Sequence, residues 1–402
     1  MTDDSRPVLL VLNAGSSGIK FSLYHTTVDA EGEPQCLGNG TFNVHHDTEH
    51  LIFRHSGVPR QQEEQWPRND ASSSSVTLFN LMDWIERHCH GTIRAAVHRV
   101  VHGGTCTEVV RRIDPQLMAQ MQARVPMAPL HQARCLAPIS YLAGEHPGLL
   151  QFACFDTAFH STLDPLETDY GLPRALTERG LRRYGFHGLS YAYIASVLPR
   201  YDPRAAAGRT IVAHLGSGAS LCALDNGVSR ATSMGFSTLD GVLMGTRPGH
   251  LDPGILLYLL RECGMTPQVL EHLLYHECGL LGVSGGLSSD MRELQASAAP
   301  EARHAIALFV RSVVREIGTL AAVLGGIDAL VFTAGIGEHA PEVRSAILDG
   351  CRWLGLRPQA QQTHDAAGCL SRPGSEVTAW VIPTDENLIM ARHALHQLSN
   401  FS

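Results

Sequence analysis

The 402-residue sequence predicts an α/β fold built from two similar lobes. Residues 8–12 are apolar and predict a buried strand, a glycine-bearing turn follows, and residues 19–24 alternate in the pattern of a half-buried strand. The same strand–turn–strand pattern returns at residues 210–224, where His214 corresponds to Asn13. The offset is 201 residues (214 − 13), half the chain length, and is typical of an internal duplication.

The composition is that of a globular protein with a large core, since 44% of the residues are hydrophobic and only 17% are charged. A net charge of −8 argues against broad binding to nucleic acids or anionic membranes. No apolar run is long enough to span a membrane, and the first residues do not resemble a signal peptide, so we expect a cytoplasmic protein. The ten cysteines form no C-x-x-C pair and are expected to be reduced.

The turn at residues 13–18 contains an amide, two hydroxyls and backbone N–H groups, and Lys20 follows it closely. These are the components of a phosphate cradle. The pattern is not a Walker A loop, because the spacing of that motif and its following helix are missing. An ordinary hairpin, in which glycine only supplies positive φ, is equally consistent with these residues.

Three further segments shape the first half of the chain. Residues 54–75 are polar, with prolines and a run of serines, and predict a surface loop. Residues 95–101 predict a strand that contains Arg99, which indicates either a salt bridge at the strand end or an anion clamp at the sheet edge. Residues 149–155 predict a strand that ends at Asp156, and a carboxylate in this place suits an active site in an α/β sheet.

Two basic side chains lie in glycine-rich loops of the second half. His187 has glycines on both sides, which let a ligand approach the backbone; a structural histidine is the equal alternative. Arg247 lies within residues 241–253, a segment crowded with glycine and proline, where rigid positioning matters more than burial.

The last third of the chain predicts a second anion site. Residues 302–324 predict a long amphipathic helix that two glycines terminate. Residues 329–333 predict a strand and residues 334–339 a turn, and Pro341 then begins a helix. A strand, glycines and a helix N-terminus together favour the binding of an anion or a nucleotide. The remaining elements are a strand at residues 379–383 and a helix at residues 388–398.

Taken together and in this order, the motifs resemble the acetate kinase family, within the superfamily of sugar kinases, heat-shock chaperone ATPases and actin. The resemblance spans nearly the whole chain. It rests on eight blocks: residues 13–24, 98–104, 155–160, 184–190, 214–220, 234–253, 282–292, and 333–338 with 382–386.

The resemblance implies two duplicated ribonuclease H-like α/β lobes with an active-site cleft between them. The N-terminal lobe is expected to comprise residues 1–158 and 384–402, and the C-terminal nucleotide-binding lobe residues 159–383. The implied reaction is the reversible, direct in-line transfer of the γ-phosphoryl group of ATP to acetate, which gives acetyl phosphate and ADP. Mg²⁺, with Mn²⁺ as the alternative ion, and a homodimer are implied as well.

The family pattern also implies the catalytic roles. Arg99 and Arg247 match the positions that bind the carboxylate and the travelling phosphoryl group, for which the planar guanidinium is well suited. His187 matches the position that stabilises the transferring oxygens. Asp156 matches the position described as proton donor or acceptor. Because a carboxylate substrate is already ionised at neutral pH, we favour a role in which Asp156 orients Arg99 or a magnesium-bound water.

The other site residues are implied by matching positions. Arg99, Val101, Leu130 and Phe186 match the acid pocket; Ser16 and Ser17 match the phosphate loop; Asn13 and Glu386 match the magnesium positions, which supply hard oxygen ligands. The nucleotide-binding positions are Lys20, His214, Leu215, Gly216, Ser217, Gly218, Asp290, Met291, Arg292, Gly335, Ile336, Gly337, Glu338 and His339.

The chain departs from the family pattern at several of these places. Gly18 stands where a third serine is usual, and Ser217 replaces an asparagine of the phosphate loop. Thr238 replaces a proline of the acid pocket, which leaves the preferred acid length open. The usual Asn-Glu-Glu near the end is Asp-Glu-Asn at residues 385–387, and His250 falls in a variable segment.

Three functions follow as hypotheses. The first is a kinase of short carboxylic acids that prefers acetate to propionate. The second is a kinase of butyrate or branched acids, against which the side chains of Val101, Leu130 and Phe186 argue mildly. The third, from another class, is a nucleotide-binding regulator without transfer activity.

Overall fold

The structure is a computed structural model. It describes residues 6–15, 18–44, 48–67, 74–89, 91–359 and 368–399. The chain divides into two compact units, which we call unit 1 and unit 2. Unit 1 consists of Met1–Ala158 and Asp385–Ser402, and unit 2 of Phe159–Thr384.

The described residues form strands and helices that we number in chain order. The strands are β1 (Val8–Ala14), β2 (Gly18–Val28), β3 (Pro34–Val44), β4 (Thr48–His55), β5 (Gln61–Pro67), β6 (Ile93–Val100), β7 (Val110–Arg112), β8 (Leu150–Phe155), β9 (Arg209–Leu215), β10 (Ala219–Asp225), β11 (Val228–Thr232), β12 (Ala329–Thr333), β13 (Gly368–Cys369) and β14 (Thr378–Val381). The α-helices are α1 (Ser74–His88), α2 (Pro115–Ala123), α3 (Pro129–Glu145), α4 (Pro165–Thr168), α5 (Arg174–Thr177), α6 (Gly188–Tyr201), α7 (Pro203–Ala206), α8 (Pro253–Arg261), α9 (Pro267–His272), α10 (Gly279–Val283), α11 (Met291–Ala296), α12 (Pro300–Leu324), α13 (Ala334–His339), α14 (Pro341–Gly350) and α15 (Glu386–Leu398).

Unit 1 is built on a sheet with the strand order β5-β4-β3-β2-β1-β6-β8-β7. Strand β1 is antiparallel to β2 and parallel to β6, which is in turn parallel to β8. Every residue of β1 is buried, which explains its unbroken run of apolar residues. A core that includes Phe21, Phe53 and Trp84 packs α1 against the sheet.

Unit 2 is built on a sheet with the order β11-β10-β9-β12-β14-β13. Five of its strands, β11-β10-β9-β12-β14, repeat the order and the directions of β3-β2-β1-β6-β8 in unit 1. The two turns are also closed in a similar way, because the N–H of Gly15 donates to the carbonyl of Gly18 and that of Gly216 to Gly218. The predicted α/β fold with a duplicated lobe is therefore confirmed.

Two local predictions are wrong. The surface loop predicted at residues 54–75 contains β5, whose polar side chains alternate along an edge strand that pairs with β4. The turn predicted at residues 334–339 is helix α13. This helix forms because the carboxylate of Glu338 folds back and accepts a hydrogen bond from the backbone N–H of Ala334, at 2.8 Å.

Several other elements agree with the sequence. The predicted helix at residues 302–324 is α12, which ends where Gly325 adopts a left-handed conformation with φ of 68°. The predicted strand at residues 329–333 is β12. All ten cysteines are free. Among the helices described, none is long and apolar enough to cross a membrane, and the cytoplasmic location stays a prediction.

Candidate active site

Unit 1 gathers four of the predicted residues at one edge of its sheet. Asn13 lies near the end of β1, Arg99 near the end of β6, and Asp156 directly after β8. Because β1, β6 and β8 are parallel, their carboxyl ends meet at this edge. Glu386, the first residue of α15, joins them.

Hydrogen bonds connect these four side chains. Arg99 Nε lies 3.1 Å from both carboxylate oxygens of Asp156, and a terminal nitrogen of Arg99 lies 2.5 Å from Oδ2. The other terminal nitrogen of Arg99 lies 3.4 Å from Asn13 Oδ1. Asn13 Nδ2 in turn donates to Glu386 Oε2 at 2.8 Å. The structure thus places Arg99 in a salt bridge, one of the two alternatives that the sequence left open.

The electrostatics of this group follow from its burial. Asp156 is fully buried and the Arg99 side chain is 15% exposed. Burial alone would lower the pKa of Arg99, but the carboxylates of Asp156 and Glu386 outweigh it and raise that pKa above its usual range. Arg99 is therefore a permanent cation held in a fixed orientation.

The oxygens of this edge suit a magnesium ion. Asn13 and Glu386 offer an amide oxygen and a carboxylate within one hydrogen-bonded group. Mg²⁺ is usually held by one or two carboxylates together with substrate phosphates and water. Among the described residues no group of three or more His, Cys, Asp or Glu could hold a metal ion by itself.

The remaining predicted residues of unit 1 are placed as follows. Lys20 pairs with Asn13 across the β1–β2 hairpin, is exposed, and forms no ion pair with another described residue. Val101 is buried just after β6. Leu130 lies in α3, with its side chain outside the described part of the chain, and Ser16 and Ser17 lie outside the described residues altogether.

In unit 2, His187 is held in a conformation that few residues adopt. Its φ is 58°, in the left-handed region, and it immediately precedes α6. Its Nδ1 lies 2.8 Å from the hydroxyl of Ser220 on β10. Tyr191 also bonds to the Ser220 hydroxyl, so the imidazole is oriented by a buried hydroxyl pair.

A second histidine stacks on His187. The rings of His187 and His214 are 4.2 Å apart between centroids, with their planes at 18°. His214 Nδ1 lies 2.8 Å from the hydroxyl of Ser190, which itself donates to the Thr384 hydroxyl at 3.0 Å. His214 is thereby fixed at the end of β9, beside the turn at residues 216–218.

Arg247 completes this group. One terminal nitrogen donates to the carbonyl of Thr238 at 2.7 Å. The other lies close to Gly218, where a Cβ would come within 2.5 Å of it and 3.6 Å of His187 Nε2. Burial lowers the pKa of Arg247 to about 10, and no carboxylate of the described residues forms an ion pair with it. Arg247 is therefore a half-buried, partly desolvated cation with no counter-ion in the described part of the chain.

The two other predicted nucleotide loops are arranged differently. Asp290 caps α11, and the exposed Arg292 folds back onto it at 2.6 Å. A Cβ on Gly337 would meet the backbone of β9 and β12 at 3.5 to 3.6 Å, which is ordinary van der Waals contact, whereas a Cβ on Gly335 would face open space. Of the other residues predicted to bind the nucleotide, Leu215 at the end of β9 and Met291 are buried, Ile336 and Glu338 are half-buried, and His339 is exposed.

The sequence did not single out Ser190, Ser220 or Tyr191. Ser190 and Ser220 do fall within the blocks at residues 184–190 and 214–220 that carry the family resemblance. Ser220 also lies directly opposite His214 in the β9–β10 hairpin. The pairing of Ser220 with His214 could have been predicted from the strand–turn–strand pattern. The contact between Ser220 and His187 could not, because it joins residues on different elements.

Solved structures that share this fold are kinases of short carboxylic acids. An acetate kinase of Porphyromonas gingivalis has a TM-score of 0.83 with 29% identity, and the match covers 98% of this chain and 100% of that one. A propionate kinase of Francisella tularensis subsp. tularensis SCHU S4 has a TM-score of 0.86 with 31% identity, covering 96% and 98%. The fold is that of this class of kinases.

The chain belongs to the acetokinase family, whose model matches residues 8–392. An acetate kinase of Rhodopseudomonas palustris (strain TIE-1) is 49% identical over 390 residues, which cover 96% of this chain and 97% of the relative. An acetate kinase of Nitrobacter hamburgensis is 44% identical over 392 residues, which cover 97% and 96%. The family expected from the sequence motifs is confirmed.

Proposed function

We propose that this chain transfers the γ-phosphoryl group of ATP to acetate, reversibly and by direct in-line displacement, giving acetyl phosphate and ADP. The observation that carries the proposal is the desolvated guanidinium of Arg247 beside Gly218 and His187. Phosphoryl transfer requires the neutralisation of charge and the alignment of reactants more than covalent chemistry by the protein. A half-buried cation with no ion-pair partner among the described residues is suited to an anionic ligand.

The roles of the unit 2 residues follow from their contacts. Arg247 neutralises the travelling phosphoryl group and the acid carboxylate, chiefly through the terminal nitrogen beside Gly218, because the other one donates to the carbonyl of Thr238. His187, oriented through its Nδ1 by Ser220, presents its Nε2 to the transferring oxygens. Gly218 has no side chain, so its backbone and the guanidinium can both approach the phosphate. The glycine turn at residues 216–218 supplies backbone N–H groups to the nucleotide phosphates.

In unit 1, Arg99 contributes a second cation, and Asp156 orients it. Both oxygens of Asp156 are engaged by Arg99, and the carboxylate is fully buried. A group bound in this way is poorly suited to shuttle protons. Acetate is ionised at neutral pH and needs no base, which supports the orienting role.

The nucleotide is proposed to bind with Mg²⁺. Asn13 and Glu386 would hold the ion, because they offer hard oxygens at one point of the sheet edge. When bound, Mg²⁺ neutralises charge on the phosphate oxygens. Lys20, which has no ion-pair partner among the described residues, is proposed to face phosphate. The loops of residues 290–292 and 335–339 are proposed to contact the rest of the nucleotide.

The acid pocket is proposed to include the buried side chains of Val101 and Phe186. Apolar walls discriminate between acids that differ by one methylene by only about 1–3 kcal/mol. Propionate is therefore a second candidate acceptor, which the likeness to the Francisella propionate kinase favours. Thr238, buried and bonded through its carbonyl to Arg247, is where we expect this preference to be set.

A hydroxylamine trap tests these functions together. The purified chain is incubated with ATP, Mg²⁺ and acetate, propionate or butyrate, and the acyl phosphate is measured as its hydroxamate. We expect the greatest kcat/KM with acetate, a smaller value with propionate, and little product with butyrate. If no acid gives an acyl phosphate while ATP still binds, a nucleotide-binding regulator replaces the proposed kinase.

A homodimer is proposed through helix α8. None of its residues is buried in this chain, although the helix is almost entirely apolar. Ile255, Leu257 and Tyr258 are 45%, 48% and 60% exposed. A helix that is hydrophobic on all sides is normally covered by other protein surface. Most soluble oligomers are symmetric dimers in which the same patch of both copies meets, so we propose that α8 of a second copy of the chain covers it.

A further inference from the structure

The segment that carries Arg247 has no regular secondary structure. Residues 233–252 connect β11 to α8 without a helix or strand. The backbone closes on itself where the N–H of His250 donates to the carbonyl of Gly241 at 2.8 Å. Residues 241–250 therefore form a loop, with His250 at its base and Arg247 within it.

The His250 ring lies between two carboxylates. Its Nδ1 is 2.8 Å from Asp240 Oδ1, next to the base of the loop, and its Nε2 is 3.3 Å from Glu316 Oε2 on α12. An ionised carboxylate only accepts hydrogen bonds, so both ring nitrogens donate and the ring is an imidazolium. The hydrogen bonds to Asp240 and Glu316 raise the pKa of His250 to about 9.

The negative charges of Asp240 and Glu316 are balanced only when the imidazole ring of His250 is protonated. Glu316 is 6% exposed, and His250 is the only cation among the described residues that contacts its carboxylate. Asp240 has a second partner, because Arg183 lies 3.5 Å from its Oδ2. Arg183 also lies over the ring of Tyr170 and donates to backbone carbonyls of residues 232–234. Two cations thus face two carboxylates.

We propose that His250 is a positioning residue for Arg247, because its imidazolium fastens the base of the loop at residues 241–250 to helix α12. The inference rests on the proposed function, since it concerns the reaction that Arg247 serves. Removal of the proton turns one ring nitrogen into an acceptor that faces a carboxylate, and leaves Glu316 buried without its cation. The loop then loosens, and Arg247 loses its alignment.

The direction of the pH effect follows from the raised pKa. A histidine that binds its proton more tightly in the folded state than in the unfolded state stabilises the fold. This stabilisation is complete at pH values below the unfolded pKa of about 6.5. This contribution is lost as the pH rises through the folded value of about 9. The activity of the unchanged chain should therefore decline near pH 9.

The test compares His250→Gln, His250→Arg and the control His272→Gln. His272 is exposed to a similar extent, 63% against 60%, and is also paired with a carboxylate, Glu277, at 3.3 Å. Measurement of kcat and KM between pH 6 and 10 should show an approximately tenfold lower kcat for His250→Gln at neutral pH, with little change in KM for ATP. His250→Arg should keep most of the activity and lose the decline near pH 9, because arginine remains charged. His272→Gln should behave like the unchanged chain.

Two results would overturn the inference. The first is a His250→Gln enzyme that keeps both the kcat and the decline near pH 9. The second is a variant that loses thermal stability alone and turns over normally per folded molecule. If His250→Gln does not fold, Glu316→Gln replaces it, and the decline should move downward by roughly one pH unit because a carboxylate has been removed; an unmoved decline rejects the inference.

Failure of the proposed function is recognised separately. It would appear as an unchanged chain that forms no acyl phosphate from any acid. The His250 cluster is then still tested by NMR titration of the ring, assigned by comparison with His250→Gln. A midpoint near 9 supports the cluster, and a midpoint near the ordinary 6.5 rejects it.

Discussion

Gly218 leaves room for the guanidinium of Arg247: a Cβ on Gly218 would come within 2.5 Å of a terminal nitrogen of Arg247. The neighbouring atom is the end of a flexible side chain, so the fold can accommodate the methyl group by moving the arginine. The glycine therefore sets the position of the cation, independently of any freedom of the backbone.

Gly218→Ala should lower kcat by about 100-fold while thermal stability stays unchanged, because displacement of a catalytic cation by about 1 Å is costly for transfer. Acyl hydroxamate formation and a thermal melt measure the two effects. Gly144→Ala in α3 is the matched control, since a Cβ there meets nothing within 4 Å. A Gly218→Ala enzyme with ordinary kcat would show that Arg247 does not need this position.

Saturating Mg²⁺ should restore the kcat of the Asp156→Asn variant. The change breaks a buried ion pair with Arg99 and should reduce the free energy of unfolding by about 3 kcal/mol. If Asp156 only orients Arg99 and its surroundings, kcat returns to near normal at saturating Mg²⁺, with a raised Mg²⁺ requirement. Loss of kcat at all Mg²⁺ concentrations, with acetate binding intact, would instead establish a proton-transfer role.

The control for this change is Asp349→Asn. Asp349 pairs with Arg352 on the surface, where the two side chains are 56% and 61% exposed. Exposed pairs contribute about 0–1 kcal/mol. Urea unfolding of both variants should separate the buried pair from the exposed one.

Stability should fall in mild acid. Burial lowers the pKa values of His98, His102 and His160 to about 4 each. Because these folded-state values lie below the unfolded value of about 6.5, the unfolded chain binds more protons between pH 6.5 and 4. Each histidine should then lower the free energy of unfolding by up to about 1.4 kcal/mol for every pH unit by which the pH falls over this range. Urea unfolding at pH 7, 6 and 5 measures it.

A matched variant isolates one of these groups. In His98→Gln the amide can keep a hydrogen bond to Gln151, which His98 now contacts at 2.9 Å, but cannot take up a proton. The pH dependence of its unfolding should be shallower than that of the unchanged chain. Equal slopes would mean that His98 does not contribute.

Tyr258→Asp should dissociate the proposed dimer. A charge in the apolar face of α8 leaves an unpaired carboxylate at the interface, which is costly to bury. Sedimentation velocity should show a dimer for the unchanged chain and a monomer for this variant. Phe79→Asp, at an apolar side chain that is 58% exposed on α1, is the control and should remain dimeric. A monomeric unchanged chain would contradict the homodimer itself.

The sequence predicted elements best where one local pattern decides the structure. Strand β12 and helix α12 follow from an apolar run and from an amphipathic period with a terminal glycine. Helix α13 was missed because its glycines favour a turn, and only the return of the Glu338 side chain satisfies its first backbone donor. Strand β5 was missed because its polar residues pair along an exposed edge.

The residues of the candidate site also differ in how far the sequence could predict them. The residues at strand ends, such as Asp156, could be placed from the sequence because parallel strands present their carboxyl ends together. The geometry of their contacts could not, since Arg99 and Asp156 are 57 residues apart, and the contacts of His250 depend on helix α12. These pairings are properties of the folded chain, which local patterns do not encode.

The bond between Asn13 and Glu386 also sets an order of events during synthesis. Its two residues are 373 positions apart in the chain. At about 5–20 residues per second, the ribosome releases Glu386 roughly 20 to 75 seconds after Asn13. Throughout that interval, even after the last strand of unit 1 has been made at Phe155, the chain lacks α15 and the acidic partner of Asn13. The pair of Asn13 and Glu386 is thus assembled only after the whole of unit 2 has been translated, so a half-made chain cannot offer the proposed magnesium position.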